Sequence, residues 1–164
     1  PRLAIVRVLA TVQSLLGGAK RESRLIDRLA FGSFNKRIAS PKTPSDWLSA
    51  NEESVERYMA DPLCGFVFTA NGFRTLMKLI WNLHNTGKLE KMPRQLPVLF
   101  LAGEEDPVGD YGRAVTEVCE SFKELGMEHV QMKLYPGDRH EILNETDRLD
   151  VYGDIYRWIL QRTT

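Results

Sequence analysis

The sequence is poor in cysteine: Cys64 and Cys119 are its only two in 164 residues, far apart and with no histidine array between them. That pattern excludes a disulfide framework and argues against a zinc site, so a reducing compartment, the cytoplasm, is expected. An excess of one charge is also missing, since 22 lysines and arginines balance 22 acidic residues. At zero formal net charge nothing in the chain attracts a polyanion, and neither nucleic acid nor an anionic membrane is expected as partner. Long apolar runs are lacking as well. The best of them, residues 3–16, is interrupted by Arg7 and Gln13 and falls short of the roughly 20 residues of a spanning helix, so no transmembrane segment is expected. An initiating methionine is absent too; the chain opens on Pro1, as a fragment does.

What is present is the composition of a soluble globular chain, 43% hydrophobic and 27% charged, with apolar residues enough for a core. Up to about residue 86 the pattern is helical. Ile5, Leu9, Val12 and Leu16 recur at three to four residues and stop at Gly17-Gly18, and Leu25, Ile26 and Leu29 make a second stripe. Residues 41–46 form a turn-rich loop in which Asp46 is placed to cap a short helix carrying Trp47 and Leu48. Residues 54–59 read as a helix closed by Asp61-Pro62. Residues 72–85 read as another, with Phe73, Leu76, Leu79, Ile80 and Leu83 on one face. Such a helical, loop-rich, aromatic segment suits a lid.

From Pro93 the pattern alternates. Residues 96–102 (LPVLFLA) are a continuous apolar run that predicts a parallel strand covered on both faces. Residues 108–125 predict a helix stopped by Gly126, and 129–135 (HVQMKLY) an alternating strand ended by Pro136-Gly137. Residues 147–160 predict a closing helix with Leu149, Val151, Tyr152, Ile155, Trp158 and Ile159 turned inward. The fold class is therefore α/β, a helical cap followed by a βαβα unit of a parallel sheet. Residues 1–70 are assigned to the cap or lid and 71–164 to the C-terminal part of the core. Two strands leave a sheet edge in need of a neighbour, so association with further sheet is expected.

In open α/β sheets reactive groups stand beyond the carboxyl ends of the strands. Asp106 follows the first strand and His140 the second, which puts both at one edge. A carboxylate there can hold one imidazole nitrogen so that the other serves as general base. Singly, Asp106 reads as a helix cap or turn and His140 as a solvated loop residue; as a pair on corresponding loops they favour catalysis.

The segments LPVLFLAGEEDPVGDYG (96–112) and LYPGDRHEILNE (134–145) resemble the C-terminal half of the α/β-hydrolase fold, in its lysophospholipase and monoacylglycerol-lipase-like (serine aminopeptidase S33-type) branch. FGSFNK (31–36), DWLS (46–49) and DPLCGF (61–66) resemble that branch's helical cap. The resemblance implies that Asp106 is the triad acid and His140 the triad base of an esterase. It departs from the family in one respect: Ser14, Ser23, Ser33, Ser40, Ser45, Ser49, Ser54 and Ser121 all lack the GxSxG setting of the nucleophile. The chain alone is therefore expected to be inactive, the serine lying outside it, and association is expected with the N-terminal half of the same protein or with a second copy. The expected substrate is a small acyl ester or lipid, with Trp47, Phe66 and Phe68 as lining of an acyl pocket, although aromatics at such spacing also serve plain packing.

Other chemistries are weaker. HEILN offers Asn144 where a HExxH zinc site needs histidine, and Glu104, Glu105, Asp106 and Asp110 lack the ligand alternation of an EF-hand. No metal or cofactor is expected. His84, His129 and both cysteines read as structural or surface residues. A non-catalytic binding or interaction domain on the same scaffold is the alternative, and fold alone does not separate it from an enzyme.

Overall fold

The computed structural model describes residues 2–83 and 86–163. The first half is helical. Helix α1 (Arg2–Gln13) widens into a π turn at Ser14–Gly18, and α2 (Arg24–Phe31), α3 (Glu52–Ala60), α4 (Ala70–Leu83) and the short α5 (Thr86–Leu89) follow. Val6, Ala10, Ile26, Phe73 and Met77 form its core, with Leu9, Leu29, Phe68, Leu76 and Ile80 packed around them. A bridge between Glu22 and Thr69 ties the α1–α2 link to the start of α4.

The buried face of α1 is not the expected one. Val6 and Ala10 are inside, whereas Ile5, Val12 and Leu16 are exposed. The helix is apolar on nearly every side, so periodicity leaves the choice open, and the small Ala10 decides it by letting a neighbouring helix approach. On α4 the buried positions are Ala70, Phe73 and Met77, while Leu79 and Leu83 face outward. Although assigned to segment 71–164, α4 packs on α1 and shares the core of α1 and α2, because its Phe73 and Met77 fill the space between them. Asp46 opens the 3₁₀ turn Asp46–Leu48 but does not cap it. Its carboxylate turns back to accept the N–H groups of Lys42 at 2.6 Å and Thr43 at 3.1 Å, closing the loop before it. Helix α3 ends at Ala60, and Asp61 turns to extended backbone as the following Pro62 requires. His84 and Asn85 lie outside the described residues.

The second half holds β1 (Val98–Gly103), α6 (Arg113–Glu124), β2 (Val130–Tyr135) and α7 (Arg148–Thr163). The strands are parallel, in register from Val98 opposite Val130 to Gly103 opposite Tyr135. Among the described residues the sheet consists of these two strands. Phe100 meets Phe122 of α6 edge-on at 5.2 Å. On the other face Leu101 joins Tyr135, Ile142, Val151 and Ile155. Contrary to the expected double cover, Val98 to Leu101 are only half-buried, because a sheet this narrow gives its helices little surface to sit on. For the same reason Val151 alone among the described side chains of α7 is fully buried, and Leu149, Tyr152 and Ile159 remain exposed. Helix α6 starts at Arg113 rather than near 108. Asp110 and Tyr111 adopt left-handed φ of 50° and 57°, which breaks helical geometry ahead of Gly112.

Candidate active site

The loops after β1 and β2 lie against each other. Glu104 N–H donates to Tyr135 O at 2.9 Å and Glu105 N–H to Asp138 O at 2.8 Å. The approach depends on Gly103, where a Cβ would stand 2.2 Å from the carbonyl oxygens of both Asp138 and Arg139. No other residue type tolerates that contact.

Asp106 emerges from this crossing with a buried side chain. Its Oδ1 accepts the N–H of Val108 at 2.8 Å, closing a turn over Pro107, and its carbonyl accepts the N–H of Tyr111 at 2.8 Å. Helix α6 begins too far along for Asp106 to be its cap. Oδ2 instead stands 3.1 Å from Nδ1 of His140. A carboxylate can only accept, so Nδ1 carries the proton and Nε2 is left with its lone pair. The imidazole side chain keeps 39% of its surface exposed against 9% for Asp106. The hydrogen bond to Asp106 raises the His140 pKa above its ordinary 6.5; burial opposes this, and the charges of Asp106 and Glu141 add to it. Such an imidazole can accept a proton at Nε2 and share the resulting charge with Asp106.

Trp47 is brought to the same place, its ring 5.3 Å from that of His140. It is held there by Phe34 at 4.9 Å and Phe31 at 6.4 Å, and Phe31 in turn meets Phe73 at 6.1 Å. Phe68 packs on Phe73, and Phe66 on Phe68, both at 5.5 Å. The aromatic residues thus form a series from the exposed Phe66 through the helical core to His140, with Trp47 beside the imidazole and Phe66 and Phe68 at the far end. Behind Trp47 a cleft of about 210 Å³ is bounded by Arg37, Glu105, Tyr111 and Arg139, and Arg37 stacks on Tyr111 at 3.5 Å.

Several residues here were missed in the sequence. Asp138 is buried beneath the histidine loop, and burial, with the charges of Asp147 and Glu145, pushes its carboxyl up to about 7. Glu145 and Arg139 join the loop to residues 46–51. Their signal was present in the phrase GDRHEILNE, but a charged residue read from sequence is assigned to solvent by default. Cys119 is buried and Cys64 half-buried, both as free thiols, and His129 is exposed just ahead of β2. No group of three or more His, Cys, Asp or Glu side chains is arranged to hold a metal ion among the described residues, and no helix among them is long and apolar enough to cross a membrane.

A parallel strand pair with helices on both faces, an acid beyond one strand and a histidine beyond the next define an α/β-hydrolase scaffold. More narrowly, residues 4–147 match the serine aminopeptidase S33 family, and the chain belongs to it. Solved structures agree. A thermostable carboxyl esterase from Bacillus coagulans, crystallised with glycerol, superposes with a TM-score of 0.82 at 30% identity, over 98% of this chain and 53% of that one. A lipase in its open form does so with a TM-score of 0.82 at 24% identity, over 94% and 50%. The monoacylglycerol lipase of Paleococcus ferrophilus has the fold at a TM-score of 0.57 and 20% identity, over 88% and 55%. The chain spans about half the length of these proteins.

Proposed function

We propose that the chain carries the acid and the base of a serine hydrolase that cleaves carboxylic esters of a small acyl or lipid substrate, such as a monoacylglycerol or lysophospholipid. The serine comes from outside the 164 residues, from the N-terminal half of the same protein. The reading rests on the 3.1 Å pairing of Asp106 with His140 Nδ1 beside an open Nε2. In this scheme Nε2 takes the proton of the serine hydroxyl as its oxygen attacks the ester carbonyl, and Asp106 stabilises the imidazolium. The same proton passes to the departing alcohol, leaving an acyl-enzyme. Water, activated by Nε2 in turn, then releases the carboxylic acid. The 30% identity to a carboxyl esterase supports the ester class.

Residues 1–70 serve as the cap in this reading. Trp47, Phe66 and Phe68 contact the acyl chain, a role supported by the Trp47 ring against His140 and by the exposure of Phe66. The partner segment adds to β1. Val98 and Glu104 direct their N–H groups to the β2 side, which in a parallel ladder turns the backbone of Leu99 and Leu101 to the opposite edge, where a further strand pairs. The free thiols support a reducing compartment such as the cytoplasm.

The test is a short-chain p-nitrophenyl ester assay on the purified 164-residue chain. No turnover is expected, because loss of the nucleophile costs about 10⁴-fold or more. Co-expression with the protein segment encoded upstream should produce activity that His140→Ala abolishes. Turnover by the chain alone, or an upstream segment lacking GxSxG, overturns the proposal; the second outcome favours a non-catalytic interaction domain.

A further inference from the structure

Glu145 follows the 3₁₀ turn Ile142–Asn144 and is 1% exposed. A carboxylate so buried needs donors on both oxygens. Four reach it. Ser49 Oγ–H donates to Oε2 at 2.7 Å, Ala50 N–H to both oxygens at 2.9 and 3.0 Å, Asn51 N–H to Oε2 at 3.2 Å, and Arg139 N–H to Oε1 at 2.8 Å. Three of these donors come from the helical half, 94 to 96 positions away; the fourth is the residue directly before His140.

Further bonds run alongside. Glu141 N–H donates to Leu48 O at 2.7 Å and His140 N–H to Trp47 O at 3.4 Å. The Arg139 guanidinium reaches Asp46 O at 2.7 Å and Ser49 O at 3.0 Å. Asn144 O accepts from Ser54 Oγ at 2.8 Å and Asn51 Nδ2 at 3.1 Å. The backbone N–H groups of residues 139, 140 and 141 are thus all held either by Glu145 or by the 47–48 backbone.

We infer that Glu145 is a positioning residue: its carboxylate locks residues 49–51 against the loop before His140, so that Trp47 and Asp106 grip the imidazole from two sides. The inference rests on the reading of Asp106 and His140 as acid and base and adds what holds that pair in place. The chemistry requires an acceptor at both oxygens, because every group that faces them donates. Glutamine, equal in size, would turn an amide N–H₂ toward an N–H or O–H donor, and aspartate is one methylene too short to span both segments.

The experiment follows the His140 ring by NMR through a pH titration of the full 164-residue chain. The charged groups facing the ring are Asp106 and Glu141, and each variant is also measured with Asp138→Asn so that the titration of Asp138 is not read as that of His140. The expected wild-type value lies above 6.5, and Asp106→Asn removes the rise. Glu145→Gln and the milder Ser49→Ala are expected to lower it by about half a unit, a roughly threefold loss of proton affinity. Val6→Ala, in the helical core, lowers Tm but leaves the titration unmoved. If Glu145→Gln and Ser49→Ala lower Tm and leave His140 at its wild-type value, the inference fails while the acid–base reading stands. Should Glu145→Gln not fold, Ser49→Ala decides by the same measurement. If wild-type His140 titrates at its ordinary value and Asp106→Asn changes nothing, the acid–base reading itself fails.

Discussion

The helical half and the strand half are held by different means. In the helical half Val6, Ala10, Ile26, Phe73 and Met77 form a core of side chains contributed by three helices. The strand half buries a smaller cluster, Tyr135, Ile142 and Val151, and with it the carboxylates Asp106, Asp138 and Glu145. Of the buried polar residues in the helical half, Asp46, Ser49 and Ser54 belong to the stretch that faces the histidine loop. Apolar burial therefore builds the first half, while costly polar burial is gathered along the seam between the two. Buried polar groups are costly unless bonded: Glu145 is met by donors on both oxygens, whereas Asp138 Oδ2 has no hydrogen-bond partner among the described residues, and its carboxyl is pushed up to about 7.

The strongest way to break this comparison is Gly103→Val. With its Cβ 2.2 Å from two backbone carbonyls, the substitution should separate the two loops at a cost above about 4 kcal/mol. Urea unfolding followed by circular dichroism should show the strand half lost first, and the raised pKa of His140 should vanish. Phe73→Ala attacks the other half. Removal of a fully buried ring is expected to cost about 3–4 kcal/mol and, because Phe73 supports Phe31 and through it Trp47, to loosen the contact of Trp47 with His140, seen as increased solvent quenching of tryptophan fluorescence.

A smaller effect sharpens the comparison from the strand side. Asp138 is raised from 3.8 to about 7 by burial and by Asp147 and Glu145. A carboxyl whose pKa is raised on folding stabilises fully below the unfolded value and loses that contribution as pH rises through the folded one. Thermal stability should therefore fall between about pH 4 and pH 7, by roughly 5 °C, and Asp138→Asn should flatten this slope. An unchanged slope in the variant would assign the pH dependence to another group. His140 contributes in the same direction over a narrower window, since its raised pKa gives stability present below 6.5 and lost as pH passes the folded value.

Much of the strand half was legible in the sequence. An apolar run, an alternating run and Gly126 between them marked β1, β2 and the end of α6, and the loop position after each strand singled out Asp106 and His140. The start of α6 was not legible. Pro107 ahead of Val108 imitates a helix entry, whereas Asp110 and Tyr111 adopt left-handed φ and bring the Tyr111 N–H to Asp106 O. Nor was the buried face of α1, where apolar residues on most sides allow several stripes and packing selects one. Glu145 was hidden for a further reason: its partners at 49–51 lie some 95 positions away, and no local pattern marks a glutamate that will be buried.

What the sequence determined by itself is the order of elements and the residue types that stand at their ends, because turn formers and apolar period act over a few neighbours. Which of those residues meet was decided by tertiary structure. The 3.1 Å contact of Asp106 with His140 follows from parallel pairing of β1 and β2 and from the room left at Gly103. The grip of residues 46–51 on the histidine loop follows from a buried carboxylate whose donors are assembled only when the two halves close on it.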